Sequence, residues 1–385
     1  MPIYGTRPEA IKMAPIVEAL KQSEIFDCVV TVTGQHRAML DQVNDLFGIV
    51  PDYDLNILQQ GQTLNSIMTK TIDGLDRMFS AAKPDAVIVQ GDTTTSTAAA
   101  IAAFYHSIPV IHVEAGLRSG NMFSPFPEEA NRKMTSQIAS LHLAPTSTSK
   151  ANLLAENISE GDIVVTGNTV IDALLETVEK KVPFTDSALE TLVSHGRKIL
   201  LVTTHRRENQ GDAMRGVGRA LARIADTEPE LLIVLPIHKN PIVREAVLPA
   251  LDGKKNVFVT EPLAYGEFTR MLSLSHVVLT DSGGVQEEAP SLGKPVLVMR
   301  ENTERPEAVH AGTVALIGTH EDRIVAEVGR LLNDQEHFDS MANAVNPYGD
   351  GLAAKRTVAA IACLLNKGPR IADFDYQSAI NSNKD

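Results

Sequence analysis

Short β-branched runs alternate with longer helix-patterned stretches along almost the whole chain. Residues 27–33 (DCVVTVT), 86–90, 109–113, 141–145, 163–167, 199–204, 231–236, 256–260, 276–280 and 295–299 each read as a strand. Several of these runs are apolar at consecutive positions, a pattern suited to a sheet covered by helices on both faces. The prediction is therefore an α/β fold built from doubly wound parallel sheets. So many strands exceed one comfortable sheet, and the polar helix-and-loop stretch 170–197 is where the domain junction is placed. The stretch GDGLAAKRTVAAIACLLN reads as a terminal amphipathic helix, and the polar tail 378–385 is expected to fray. At the start, Pro2 to Tyr4 leave little room for a first strand of ~5 residues before Gly5, as if the chain began late or had been shortened.

Composition narrows the function classes. With 385 residues and a formal net charge of −13, the chain is two domains long and not a general phosphate-backbone binder, which needs a basic surface. No nucleic-acid partner is expected. Only Cys28 and Cys363 are present, both in apolar surroundings, so neither a disulfide framework nor a four-ligand zinc site is expected. The longest apolar stretches, such as LLIVLPI, fall far short of the ~20 residues of a membrane span. The N-terminus also lacks a secretory pattern, so the chain reads as soluble and cytoplasmic, with no membrane partner. The dinucleotide G-x-G-x-x-G does not occur in a strand-to-helix setting, and the P-loop G-x-x-x-x-G-K-[ST] is absent. No cofactor and no metal are expected.

Chemistry collects at strand ends, where open α/β sheets bind ligands. Asp92 follows the 86–90 run and precedes TTTST, so alone it reads equally as a helix cap. Glu114 ends the 109–113 run with no helix to cap. Glu128, beside Glu129 and after Pro127, opens the next helix, where acidic residues are common. Three carboxylates at one rim shift each other's pKa values and suit proton transfer. In the second half, His205 and Arg207 follow 199–204, and His238 stands in PIHKNP. The GTRPEAIK stretch predicts a capping box from Thr6 and Glu9, with Arg7 and Lys12 as cations at an anion-attracting helix start. In TDSGGVQEE, Ser282 is placed to cap, Gly283 and Gly284 let backbone approach a phosphate, and Glu288 could bond a ribose diol. Arg305 adds a cation.

Together the blocks GTRPEAIKMAPIV, GQHRAMLDQV, GDTTTSTAAA, HVEAGLRSG, SPFPEEANR, TGNTVIDALL, HRREN, TDSGGVQEEAPSLGKPVLVMRENTERPEAV and NPYGDG resemble the non-hydrolysing UDP-N-acetylglucosamine 2-epimerases, nearly end to end. That resemblance implies two Rossmann-like domains in the B-type glycosyltransferase architecture, with the active site in the interdomain cleft. The N-terminal domain would span 1–170 and regain a C-terminal helix at 354–380; the UDP-binding domain would span 171–353. It implies Asp92, Glu114, Glu128 and His205 as catalytic residues. Arg7, Lys12, Leu263, Phe268, Ser282, Gly283, Gly284, Glu288 and Arg305 would bind substrate. Leu263 stands where some members carry glutamine, so a uracil contact there would use the main chain. Gln35, His36, Gln62, Arg207 and His238 match positions linked to a second, activating UDP-N-acetylglucosamine, although Ala38 replaces a longer polar residue near them. A homodimer is implied as well.

No carbonyl adjoins carbon 2 of this sugar, so direct deprotonation is implausible. The implied route eliminates UDP to give 2-acetamidoglucal, then re-adds it with a proton on the other face, supplying N-acetylmannosamine precursors for cell-surface polysaccharide. The rival readings are a B-type glycosyltransferase, a hydrolysing 2-epimerase and a catalytically silent sugar-nucleotide sensor.

Overall fold

The computed structural model describes residues 1–59, 61–206 and 209–376. Among these residues ten strands fall within the apolar runs, and three, Ile3–Tyr4, Tyr53–Asp54 and Val314–Leu316, lie outside them. They divide between two units, one formed by Met1–Ala173 with the segment from Tyr348 onward, the other by Leu174–Pro347. In the first unit, β1 (Ile3–Tyr4), β2 (Thr31–Val32) and β3 (Tyr53–Asp54) pair in parallel, as do β4 (Val87–Gln90), β5 (Val110–Val113), β6 (Leu141–Ala144) and β7 (Ile163–Val165). A parallel bridge from Pro2 to Ile88 joins the two sets, giving the order β3-β2-β1-β4-β5-β6-β7.

The second unit holds β8 (Ile199–Thr203), β9 (Leu232–Pro236), β10 (Val257–Thr260), β11 (Val277–Thr280), β12 (Val296–Val298) and β13 (Val314–Leu316). Their order is β10-β9-β8-β11-β12-β13. Both sheets thus reverse direction of growth beside their first strand, β1 or β8, which is the switch point where such folds open a binding crevice. The expected α/β, doubly wound class is met in each unit.

Burial explains the consecutive apolar positions. Strands β4, β5, β6 and β11 are buried along their whole length, so every side chain meets a helix layer rather than water. Ile3, Leu75, Phe79, Val87, Val89 and Ala103 pack in one core of the first unit; Leu200, Val217, Leu221, Ile233, Val277 and Leu297 pack in the core of the second. The alanine-rich helix Thr94–Tyr105 is buried over most of its surface because small side chains let it sit close to the sheet.

Strands β3 and β13 were not legible as apolar runs. Tyr53 and Asp54 are exposed edge residues whose strand exists because the Tyr53 and Leu55 amides donate to Val30 and Val32 carbonyls. The 27–33 run contracts to the two residues of β2. The final helix, Ala353–Leu364, packs on the helix Arg7–Lys21 of the first unit. The closing helix expected over 354–380 ends at Leu364, where the chain turns, and 377–380 lie outside the described residues, as does the polar tail 378–385. Among the described residues no helix is long and apolar enough to cross a membrane.

The chain leaves and re-enters the first unit at one seam. Asn168 N–H donates to Tyr348 O at 2.7 Å. The Ala353 and Ala354 amides donate to Asp172 at 3.2 and 2.8 Å. Gly167, at φ +84°, leaves room for Gly349, whose Cα would lie 3.3 Å from an added Cβ.

Candidate active site

Strand β4 is followed by Gly91, whose φ of +67° turns the chain sharply and delivers Asp92 to the rim. Asp92 is not the helix cap: Thr93 occupies that position and accepts from Ser96 N at 3.0 Å. The Asp92 carboxylate instead pairs with Arg132 at 2.6 Å and stays about a quarter exposed, at 24%. Its carbonyl accepts from Asn131 Nδ2 at 2.9 Å.

On the neighbouring strand, Glu114 follows β5 in left-handed backbone, at φ +62°, a conformation rare for glutamate. Its buried carboxylate accepts from Lys12 Nζ at 2.5 and 2.7 Å, from Asn168 Nδ2 at 3.1 Å, and from Gln90 Nε2. Lys12 therefore engages the carboxylate rim from the helix Arg7–Lys21, while Arg7 opens that helix. Glu9 closes the expected box onto Thr6 N–H at 2.8 Å and also receives Gly5 N–H and the Thr93 hydroxyl. Burial pushes the Glu9 carboxyl up to about 7 against these donors.

Glu128 is the first residue of the helix Glu128–Ile138, with Pro127 in the capping position just before it. Its Oε2 is buried without a hydrogen-bond partner, an acceptor whose burial is costly until a donor or proton meets it. Glu129 does different work: it accepts the Ser119 and Gly120 amides at 3.0 and 3.2 Å and Arg132 at 3.2 Å. Burial opposes its ionisation, but the Ser119 amide and Arg132 hold its carboxyl below the usual range. Arg132 therefore spans Asp92 and Glu129, and the helix that carries Glu128 docks directly on Asp92.

In the second unit, His205 lies just past β8, and its Nδ1 is 3.1 Å from Oδ1 of Asp281. The imidazole is 43% exposed and Asp281 fully buried. A carboxylate on Nδ1 fixes the proton there and leaves Nε2 to accept or carry one. Asp281 also accepts from Thr204 Oγ1, His205 N and Arg206 N at 2.9 to 3.1 Å. The His238 ring stacks on His205, with centroids 5.9 Å apart.

At the end of β11, Ser282 takes the cap position of the helix Gly283–Glu288, yet its hydroxyl makes no cap bond. Its main-chain N–H is held instead by Thr280 Oγ1 at 2.9 Å. The predicted side-chain cap is therefore corrected: Thr280 organises this turn. A Cβ on Gly283 would come within 3.0 Å of the Arg305 guanidinium, so glycine lets that cation lie on the turn. Arg305 Nε donates to Glu287 at 2.7 Å, and Tyr265 OH donates to Glu288 at 3.2 Å. Phe268, on the helix Tyr265–Leu274, and Leu263, just before it, are half-buried.

Of the expected effector residues, Gln35 accepts from Thr95 Oγ1 at 2.8 Å, His36 precedes the helix Arg37–Phe47, and Gln62 accepts from Gln59 N at 3.2 Å. Arg207 lies outside the described residues. Sequence reading missed Gln90, Arg132, Asn168 and Asp281. Asp281 carried a signal, since it ends a strand as Asp92 does; Arg132 carried one too, a turn beyond the paired glutamates. Among the described residues, no cluster of three or more His, Cys, Asp or Glu is placed to hold a metal ion.

Comparison with known proteins gives one consistent answer. Residues 18–362 match the family model described as UDP-N-acetylglucosamine 2-epimerase. The chain is 53% identical over 365 residues to the UDP-N-acetylglucosamine 2-epimerase of Escherichia coli K12, covering 93% of this chain and 97% of that one. The Salmonella typhimurium LT2 enzyme of the same name is equally similar, at 53% with the same coverage. Among solved structures, the Neisseria meningitidis UDP-GlcNAc 2-epimerase bound to UDP-GlcNAc superposes with a TM-score of 0.82 at 46% identity, covering 94% of this chain and 99% of that one. The Methanocaldococcus jannaschii enzyme, in complex with UDP-GlcNAc and UDP, gives a TM-score of 0.74 at 34% identity, covering 95% and 99%.

Proposed function

This chain belongs to the UDP-N-acetylglucosamine 2-epimerase family and is an isomerase of that sugar nucleotide; we propose that it works by eliminating and re-adding UDP. The carbon 2 proton passes to a carboxylate as the bond from carbon 1 to the diphosphate oxygen breaks, leaving 2-acetamidoglucal and UDP. The diphosphate then rebonds to carbon 1 while a proton reaches carbon 2 from the opposite face, giving UDP-N-acetylmannosamine. Acid and base groups are needed on both faces of the sugar. The observation that carries this reading is the rim on which Asp92 and Glu114 end adjacent strands and Glu128 presents a buried, unpartnered oxygen.

Each unit has its task. In the first, Asp92, Glu114 and Glu128 handle protons while Lys12 holds the Glu114 carboxylate in place and Arg7 meets the substrate's anion. In the second, His205, oriented by Asp281, stabilises the departing diphosphate, as do the backbone amides of Ser282, Gly283 and Gly284 and the Arg305 cation. Glu288, Phe268 and the Leu263 main chain hold the nucleoside. We assign the N-terminal domain to 1–170 with the returning helix and the UDP-binding domain to 171–353.

We further propose that a second UDP-N-acetylglucosamine activates the enzyme through Gln35, His36, Gln62, Arg207 and His238. The protein would act in the cytoplasm as a homodimer, for which exposed Phe104 and Tyr105 offer apolar surface, and would supply cell-surface polysaccharide synthesis. Proton NMR of UDP-N-acetylglucosamine with the enzyme in deuterium oxide tests the core of this. The expected result is UDP-N-acetylmannosamine carrying deuterium at carbon 2. Free N-acetylmannosamine with UDP would mark a hydrolysing enzyme; absence of any epimer would leave the glycosyltransferase reading.

A further inference from the structure

We infer that His112 is a positioning residue for the proton chemistry, holding Asp92 in place through the carbonyl of Gly91. His112 lies in the middle of β5 with no solvent exposure. Its Nε2 is 2.8 Å from Gly91 O. A carbonyl oxygen only accepts, so Nε2 carries the hydrogen and Nδ1 is a bare acceptor. That Nδ1 is buried with no partner. A side chain serving only to fill the core would be apolar, because leaving a polar atom unsatisfied costs about 1–3 kcal/mol. The histidine keeps this unmet acceptor in return for one donor aimed at Gly91. Burial also lowers its pKa to about 3, so the ring stays neutral and the donor does not titrate away near neutrality.

The bond matters because of what it holds. The Gly91 carbonyl belongs to the peptide that leads into Asp92, at a left-handed turn. Gly91 N–H donates to Val113 O at 2.9 Å, so β5 grips this turn from both sides. Beyond it, Asn131 bonds the Asp92 carbonyl and Thr93 is tied to Glu9 at 2.8 Å. The Asp92 backbone is thereby fixed at each end. Glu114 stands two residues past His112, just beyond the end of the same strand, so a single element sets both carboxylates relative to each other. A displacement of about 1 Å in such geometry lowers rates by about 10²-fold.

This inference rests on Asp92 as a proton handler, and its test separates the two claims. Turnover of UDP-N-acetylglucosamine is measured for full-length wild type, His112→Leu, His112→Asn, His112→Gln, Asp92→Asn and the Asp92→Asn/His112→Leu double variant. UDP affinity is measured by calorimetry. Glutamine places an amide donor near the imidazole Nε2 position; asparagine is polar but too short to reach. The expected result is a kcat lower by about 10-fold or more for Leu and Asn, with KM and UDP affinity held within about 2-fold, and recovery of most of the loss by Gln. In the Asp92→Asn background, His112→Leu should cost under about 2-fold. Equal losses in both backgrounds, or Gln no better than Asn, would overturn the role. If His112→Leu fails to fold, the Asn and Gln pair decides alone. Wild-type turnover by Asp92→Asn would instead refute the proton-handling role of Asp92 itself.

Discussion

Asp92 and Asp281 hold the same address in two sheets. Each lies past the carboxyl end of the strand that follows the reversal of strand order, β4 beside β1 and β11 beside β8. Yet Asp281 is fully buried and accepts from Thr204, His205, Arg206 and Asn209, whereas Asp92 is partly exposed and its carboxylate pairs with Arg132. Burial pushes the Asp281 carboxyl up, but His205 and the Arg206 amide outweigh it and hold the group below the ordinary aspartate range. The two strand ends differ in what surrounds the carboxylate: Asp281 is closed in by donors, while Asp92 keeps part of its carboxylate open to solvent.

The largest effects should separate these two aspartates by kind. Asp92→Asn, with Glu114→Gln and Glu128→Gln, is expected to lower turnover by about 10²-fold or more with little change in melting temperature. Asp281→Ala is expected to lower unfolding free energy in urea by about 3 kcal/mol, because several buried donors lose their acceptor. The reverse pattern would break the comparison.

A pH-dependent effect concerns the support beneath Asp92. Glu9 has a raised folded pKa, so the native state retains a proton that the unfolded chain releases. Its contribution therefore weakens as pH rises from ~4.3 toward about 7, with a slope up to ~1.4 kcal/mol per pH unit. Glu9→Gln should remove that slope from urea midpoints taken across the interval; an unchanged slope would show that Glu9 titrates normally.

The smallest contrast lies in the helix starts that follow. Thr93→Ala should cost about 1 kcal/mol, since its hydroxyl caps the helix. Ser282→Ala should stay within about 0.5 kcal/mol, because no cap bond exists to lose. Thermal melts of the two variants compare them directly.

Much of this was legible from the chain. Buried parallel strands leave continuous apolar runs, so most of both sheets and the Asp92, Glu114 and His205 addresses could be read in advance. Edge strands β7 and β10 were legible as apolar runs, but β3 left no trace, because it depends on backbone pairing with β2 and not on its own side chains. Second partners were equally hidden. Arg132 reaches Asp92 from a different helix, and Asn168 reaches Glu114 across 54 positions of sequence, relationships that only the folded chain creates. Capping preferences misread two positions in different ways: Thr93, and not Asp92, caps the helix that follows β4, while the Ser282 hydroxyl makes no cap bond and its own N–H is held by Thr280 Oγ1.

The seam at Asn168 and Tyr348 gives the molecule a modular grammar. Residues 174–347 leave and return through neighbouring points, so a gene segment exchanged between Asp172 and Gly349 would arrive with both ends already matched to the body that keeps the carboxylates. Recombination at that junction would let the second unit diversify while the rim of Asp92, Glu114 and Glu128 is inherited intact.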